Sequence, residues 1–363
     1  MTVVALGLPT TGSTVPVAPP DTPSDGPLRD RFGRVVTDLR VSVTDRCNLR
    51  CTYCMPAEGL DWLPTDEVLS TDELIRVMTV AVRDLGIRSI RFTGGEPLLR
   101  RDLEHLIDAV TGLPERPEIA MTTNGLGLAR RIDGLVSAGL GRVNVSLDTV
   151  DPERFAVITR RDRLDDVLAG LAAARDSGLR SVKVNAVLAA HEDLARLPDL
   201  LSFCLDHGYQ LRIIEQMPLD ADHRWDRSSM VTADEILTVL RSHFTLLPDP
   251  RPRGSAPAAT WLVDGYDVDG EPARVGVIAS VTRPFCGDCD RARLTADGAL
   301  RNCLFAESET DLRGILRGDL PDADIDDAIA RRWRGNVWTK AAGHGVNDPD
   351  FHQPDRPMSA IGG

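Results

Sequence analysis

The chain has 363 residues, 42% apolar but only 4% aromatic, so the core of one large or two ordinary domains must be built mainly from Val, Leu, Ile and Ala. With 42 basic against 55 acidic side chains, the formal net charge of −13 argues against general nucleic-acid binding and against attachment to an anionic membrane, though a local basic pocket for a small anion remains compatible. No stretch approaches the roughly 18 uncharged apolar residues of a membrane-spanning helix, and the expected location is the cytoplasm.

Residues 1–30 open with "MTVVALGLPTTGSTVPVAPPDTPSDGP", rich in Pro, Thr and Ser and without a basic start. They read as a disordered leader, not a signal peptide. Strand patterns then follow at 39–43, 89–94, 118–123, 142–148, 181–188 and 210–215, each β-branched or apolar and ending at a polar or Gly turn. Helical patterns lie between them. Residues 70–86 carry Ser70 or Thr71 as N-cap, Glu73 as capping-box partner and Gly86 as C-cap; 163–178 and 191–208 also close on Gly, with Pro198 interrupting the latter. Successive β-then-α units predict a parallel sheet with crossover helices, either open and doubly wound or an incomplete (β/α) barrel. Both place ligands at the C-terminal ends of the strands. There the sequence has its unusual polar loops: a cysteine triplet after the first strand, then "TGGEP" (93–97), "TTNG" (122–125), "SLDT" (146–149) and "EQMP" (215–218). Residues 246–261 read as a Pro- and Gly-rich linker, followed by a strand at 273–281, a second cysteine triplet, helices around 308–333 and an aperiodic tail, 347–363.

The chain has seven cysteines, an odd number that argues against a disulfide framework. Cys204 stands alone in an apolar helical pattern and reads as a small buried hydrophobe. The other six form two triplets. Cys47, Cys51 and Cys54 are spaced C-x3-C-x2-C on the ligand rim. Zinc would need a fourth protein ligand to close a structural site, whereas a [4Fe–4S] cluster held by three thiolates leaves one iron open. Gly94 and Gly95 allow close approach of the backbone to a ligand, and Pro97 stiffens the exit. This triplet, with aromatic Tyr53 before its last cysteine and GGEP on the next loop, resembles the radical S-adenosylmethionine enzymes. The resemblance implies that S-adenosylmethionine chelates the open iron and that reductive cleavage gives a hydrogen-abstracting 5′-deoxyadenosyl radical.

Cys286, Cys289 and Cys303 repeat the logic as C-x2-C-x13-C, suited to a second cluster with one open iron. Arg291 and Arg293 follow on one strand face, and their guanidinium forks match phosphate oxygens. Together with a terminal Gly362–Gly363, these residues make roughly 30–363 similar to the GTP 3′,8-cyclases of molybdenum cofactor biosynthesis. That resemblance implies two [4Fe–4S] clusters, on Cys47, Cys51 and Cys54 and on Cys286, Cys289 and Cys303. It places Tyr53, Gly95, Ser146 and Met217 at S-adenosylmethionine, and Arg40, Arg91, Thr122, Lys183 and Arg291, Ala292 and Arg293 at GTP. Arg212 fits a further basic position in that pocket. Gly362 and Gly363, on a flexible tail inserted into the active site, are implied in catalysis. Arg40, Lys183 and Arg212 also stand out unaided, since a parallel strand buried on both faces should exclude lone cations. The sequence departs from the family's C-N-R-L-R pattern at Asp290 and Ala292, which bears on packing near the guanine.

The expected fold is α/β: a partial (β/α)6 TIM-like barrel over 31–245, then a region over 246–346 carrying the second cluster, then the tail. The implied activity is that of a lyase. Hydrogen abstraction from C3′ of GTP and attack on C8 give (8S)-3′,8-cyclo-7,8-dihydroguanosine 5′-triphosphate. The implied partners are an external electron donor, a downstream cyclic pyranopterin monophosphate synthase and a second copy in a homodimer. Two rivals are a radical S-adenosylmethionine enzyme that modifies a peptide and a non-catalytic zinc-binding scaffold. The first is disfavoured by the buried cations, and the second is separable by iron and sulfide content.

Overall fold

A computed structural model describes residues 18–362. Its first half alternates strand and helix: β1 (Asp38–Ser42), α1 (Thr71–Arg83), β2 (Ser89–Thr93), α2 (Leu103–Thr111), β3 (Glu118–Thr123), α3 (Leu128–Ser137), β4 (Arg142–Ser146), α4 (Pro152–Thr159), α5 (Leu164–Asp176), β5 (Ser181–Leu188), α6 (Leu197–Asp206), β6 (Gln210–Glu215) and α7 (Ala233–His243). Then come β7 (Leu246–Pro248), β8 (Ala259–Val268), β9 (Glu271–Ile278), β10 (Arg291–Leu294), β11 (Ala299–Arg301), β12 (Thr310–Asp311), α8 (Arg313–Leu316), α9 (Asp322–Trp338) and α10 (Met358–Ile361).

Strands β1 to β6 pair in parallel and in chain order, the β/α barrel wall the alternation predicts. The C-terminal region extends this sheet at both ends: β10 runs parallel beside β1, and β9 parallel beside β6. Strands β11–β12 and β8–β7 then finish the two edges antiparallel. The two sequence regions therefore share one sheet.

Helix α1 begins where the capping box puts it. The Glu73 N–H donates to Ser70 Oγ at 3.2 Å, and the Ser70 N–H to Glu73 Oε2 at 2.7 Å. Leu74, Val77, Met78 and Ala81 turn one face into the core. The interruption at Pro198 falls one step earlier: a 3-10 turn (His191–Arg196) precedes α6, and Pro198 sits in its first turn, where its missing N–H costs nothing. Cys204 is fully buried in α6 among Leu200, Leu201 and Leu205.

Three expectations need correction. The leader does not extend to residue 30: Leu28 is fully buried, its carbonyl accepts from the Val36 N–H at 2.8 Å, and Arg334 on α9 donates to the Gly26 carbonyl at 2.8 Å; residues 1–17 lie outside the described residues. The linker at 246–261 contains β7 and the start of β8, because Leu246–Pro248 pairs with Trp261–Val263 at the sheet edge. The tail is packed, with Ser359 and Ile361 buried in α10; Ile361 joins Leu219, Met230, Val281 and Phe305 in a small apolar cluster. No helix among the described residues is long and apolar enough to cross a membrane.

Candidate functional site

Alternation along each strand decides what faces inward. In β5 and β6 every second residue is buried, and of the others Lys183, Asn185, Val187, Arg212 and Ile214 line a cavity inside the barrel wall. The cations therefore sit on the one strand face that helices do not cover. The cavity holds about 780 Å³. Both triplets line it, as do Tyr53, Gly95, Ser146, Met217, Arg40, Arg91, Thr122, Lys183, Arg212, Arg291 and Arg293.

The first triplet lies between β1 and α1, on the rim. Its placement depends on GGEP. The Gly95 N–H donates to the Thr44 carbonyl and the Glu96 N–H to the Arg46 carbonyl, both at 2.8 Å. A Cβ on Gly95 would collide with the carbonyls of Arg46 and Asp45. The two glycines thus allow close approach of the loop that bears the cysteines, so the closeness they provide is to backbone of that loop. Glu96 is fully buried and accepts from the Thr123 hydroxyl and the Asn124 N–H, both at 2.6 Å, tying the third loop to the second. The Tyr53 hydroxyl donates to Asp148 Oδ2 at 2.9 Å, and Asp148 Oδ1 accepts from the Val187 N–H at 2.8 Å. Burial pushes the Cys47 and Cys51 thiols up and takes Cys54 up to about 12.

The second triplet flanks the β10–β11 pair, Cys286 and Cys289 before it and Cys303 after it. Cys289 differs from the others. Burial pushes its thiol up, yet Lys340 and Arg291 beside it hold it below its ordinary value. Among the described residues no three His, Cys, Asp or Glu side chains close on a single metal ion. A cubane spreads its three thiolates over three irons, whereas a structural zinc site draws its ligands onto one ion.

Deeper in the barrel, Arg40 lies in register with Arg91 on β2 and with Arg293 on β10. Burial, then Arg40, pushes Arg91 down to about 9; burial, then Arg212, pushes Lys183 down to about 7; burial, then Arg142, pushes Arg212 down to about 10. The Nε atoms of Arg40, Arg91, Arg142 and Arg212 are buried without a hydrogen-bond partner among the described residues. Orphaned cationic donors packed this closely fit a polyanion.

Arg142 was not singled out from the sequence, although it shares its strand face with Ser146. It lines the cavity and pairs with Glu118 at 2.5 Å. Ala292 faces the other way, buried and off the cavity lining, so its expected place at the substrate is corrected to a backbone position between two arginines. Asp290 accepts through its carbonyl from the Thr37 and Asp38 N–H groups, at 3.0 and 3.1 Å, and so supports the entry to β1. Gly362 reaches this site: its carbonyl accepts from Arg293 Nη1. Gly363 lies outside the described residues.

The Radical SAM superfamily matches residues 41–204, and the Molybdenum Cofactor Synthesis C family matches 209–346. Over the full length of both chains, this one is 63% identical to the GTP 3′,8-cyclase of Mycobacterium sp. (strain KMS). It is 62% identical to that of Mycolicibacterium smegmatis and 60% identical to GTP 3′,8-cyclase 2 of Mycobacterium tuberculosis, again over the whole of each chain. The chain belongs to the GTP 3′,8-cyclase family. Among solved structures, Streptococcus suis SuiB bound to S-adenosylmethionine is similar at a TM-score of 0.57 and 14% identity, covering 89% of this chain and 76% of that one, which shows a shared fold. As a radical S-adenosylmethionine member of the GTP 3′,8-cyclase family, the protein uses two [4Fe–4S] clusters and S-adenosylmethionine, and its two cysteine triplets on one cavity fit that set.

Proposed function

We propose that the chain converts GTP to (8S)-3′,8-cyclo-7,8-dihydroguanosine 5′-triphosphate in this cavity. The observation that carries the reading is that both cysteine triplets and four arginines with unpartnered Nε atoms line one cavity. Cys47, Cys51 and Cys54 hold the rim cluster, and Tyr53, Gly95, Ser146 and Met217 seat S-adenosylmethionine on it. Bound there, that pair supplies the hydrogen-abstracting radical. Arg40, Arg91, Lys183, Arg212 and also Arg142 hold the triphosphate at the far end of the barrel, which fixes the ribose between phosphate anchor and rim. Thr122 completes the GTP contacts. Cys286, Cys289 and Cys303 would hold the second cluster, which would supply a coordination site for the guanine end of the substrate. Arg291 and Arg293 flank it, Gly362 accepts from Arg293 through its carbonyl, and Gly362 and Gly363 take part in catalysis.

Three things lie around this reaction: an external electron donor, a cyclic pyranopterin monophosphate synthase that consumes the product, and a cytoplasmic homodimer as the working form. Light scattering on a size-exclusion column tests the dimer, and a monomeric mass would remove it. The decisive experiment for the reaction is anaerobic reconstitution with reductant and S-adenosylmethionine, with and without GTP, read by mass spectrometry. GTP-dependent 5′-deoxyadenosine together with a nucleotide isomeric with GTP is the expected result. Deoxyadenosine formation indifferent to GTP would overturn the proposal in favour of another radical substrate.

A further inference from the structure

Lys340 is 2% exposed and lies just past the end of α9. A lysine so deeply buried ordinarily has a carboxylate partner. Among the described residues Lys340 has none. Its Nζ donates to the Arg291 carbonyl at 2.7 Å, contacts the Cys289 carbonyl at 3.5 Å and lies 3.3 Å from Cys289 Sγ. Arg291 Nη1 reaches the same sulfur at 3.6 Å. Two cationic donors thus converge on one cysteine of the second triplet.

We propose that Lys340 is a positioning residue for the second cluster: its ammonium donates an N–H···S hydrogen bond to the Cys289 ligand, offsets the negative charge of the thiolate-bound cluster and raises its reduction potential. The physics is general. Hydrogen bonds and positive charge at a ligating sulfur draw electron density from the cluster and stabilise its reduced form. Lys340 also holds the Arg291 carbonyl, so the same ammonium fixes the strand on which Arg291 and Arg293 are presented. The inference rests on the proposed assignment of Cys286, Cys289 and Cys303 as cluster ligands.

The test is a redox titration followed by electron paramagnetic resonance on the full-length, anaerobically reconstituted protein. Replacing Cys47, Cys51 and Cys54 by Ala in every sample leaves the second cluster as the signal. Without that cluster in the unmutated-Lys340 background, the ligand assignment fails, separately from the role of Lys340. With it, Lys340→Met is expected to move the midpoint to a more negative potential, while Lys340→Arg, which keeps a cationic donor, stays near the parent. Selective loss of the second cluster's iron in Lys340→Met, with the circular dichroism of the fold retained and iron restored in Lys340→Arg, supports the same role. An unchanged midpoint in Lys340→Met, or Met and Arg variants that behave alike, including loss of fold in both, would overturn it and leave Lys340 a packing residue.

Discussion

Arg293, buried on β10, donates to the carbonyl oxygen of Gly362 near the chain's end. Gly362 adopts φ +83°, and a Cβ there would stand 2.7 Å from Thr93 Cγ2 and 3.2 Å from Ser42 Cβ. Backbone conformation and space both demand glycine. Gly362→Ala is therefore expected to push the tail out of the cavity and lower kcat by at least about tenfold, equivalent to ~1.4 kcal/mol of barrier, while iron content stays at the parental level. Normal kcat in that variant would remove the tail from the mechanism.

The tail is fastened a few residues upstream. Arg356 forks onto Asp297, Nη2 to Oδ2 at 2.7 Å and Nη1 to Oδ1 at 3.0 Å, and its Nε reaches Glu309 at 2.9 Å. Glu309 also pairs with Arg301, whose Nη2 caps the Ala306 carbonyl just past Cys303. Arg356→Ala and Asp297→Ala should each make the tail sensitive to carboxypeptidase. In a double-mutant cycle on urea stability, the pair should show a coupling of about 0.5–3 kcal/mol, as contacting residues do. Zero coupling would mean that the fork is incidental.

Lys183 makes GTP binding pH-dependent. In the GTP-free site its ammonium is pushed down to about 7, by burial first and then by Arg212, Arg142 and Arg91. A triphosphate favours the charged form, so binding raises the value again. Below pH 7 the lysine is already charged and binding exchanges no proton. Above it, binding takes one up, and affinity falls as pH rises, by at most about tenfold per unit. Calorimetry in buffers of different ionisation enthalpy should show uptake near one proton at about pH 8.5 and little at about pH 6. Lys183→Met should abolish the difference; uptake that persists in that variant assigns the proton elsewhere.

Gly95→Ala tests the support of the first triplet. The added methyl has backbone carbonyls of Asp45 and Arg46 in its way, and neither can swing aside as a side chain would. Overpacking of this kind costs about 1–3 kcal/mol. Here the strain falls on the loop bearing Cys47, Cys51 and Cys54. Iron analysis with Mössbauer spectroscopy should show loss of the first cluster with the second retained. Equal loss of both would point to global unfolding instead.

Much of this was legible before the fold. Periodicity located all six barrel strands, because each is a short β-branched run bounded by turn residues, and the rim loops followed from the rule that ligands gather at strand C-termini. The cations at Arg40, Lys183 and Arg212 were anomalous as residues, and alternation explains them: their face meets a cavity. Arg142 was hidden because it opens its strand, where a charged residue needs no explanation. Lys340 gave no signal, since its burial depends on the segment after α9 folding back onto β10. The long-range contacts of Leu28 with Leu85 and of Arg356 with Asp297 have no local pattern to read.

Strand β10 lies against β1 in register, Arg293 opposite Arg40. Cys47, Cys51 and Cys54 lie beyond the C-terminal end of β1, whereas Cys286 and Cys289 precede the N-terminal start of β10. The separation between the two metal-binding loops is thereby set along the strands, by the length of a parallel hydrogen-bonded ladder. A molecule that reaches from one loop to the other is gauged by the length of those strands.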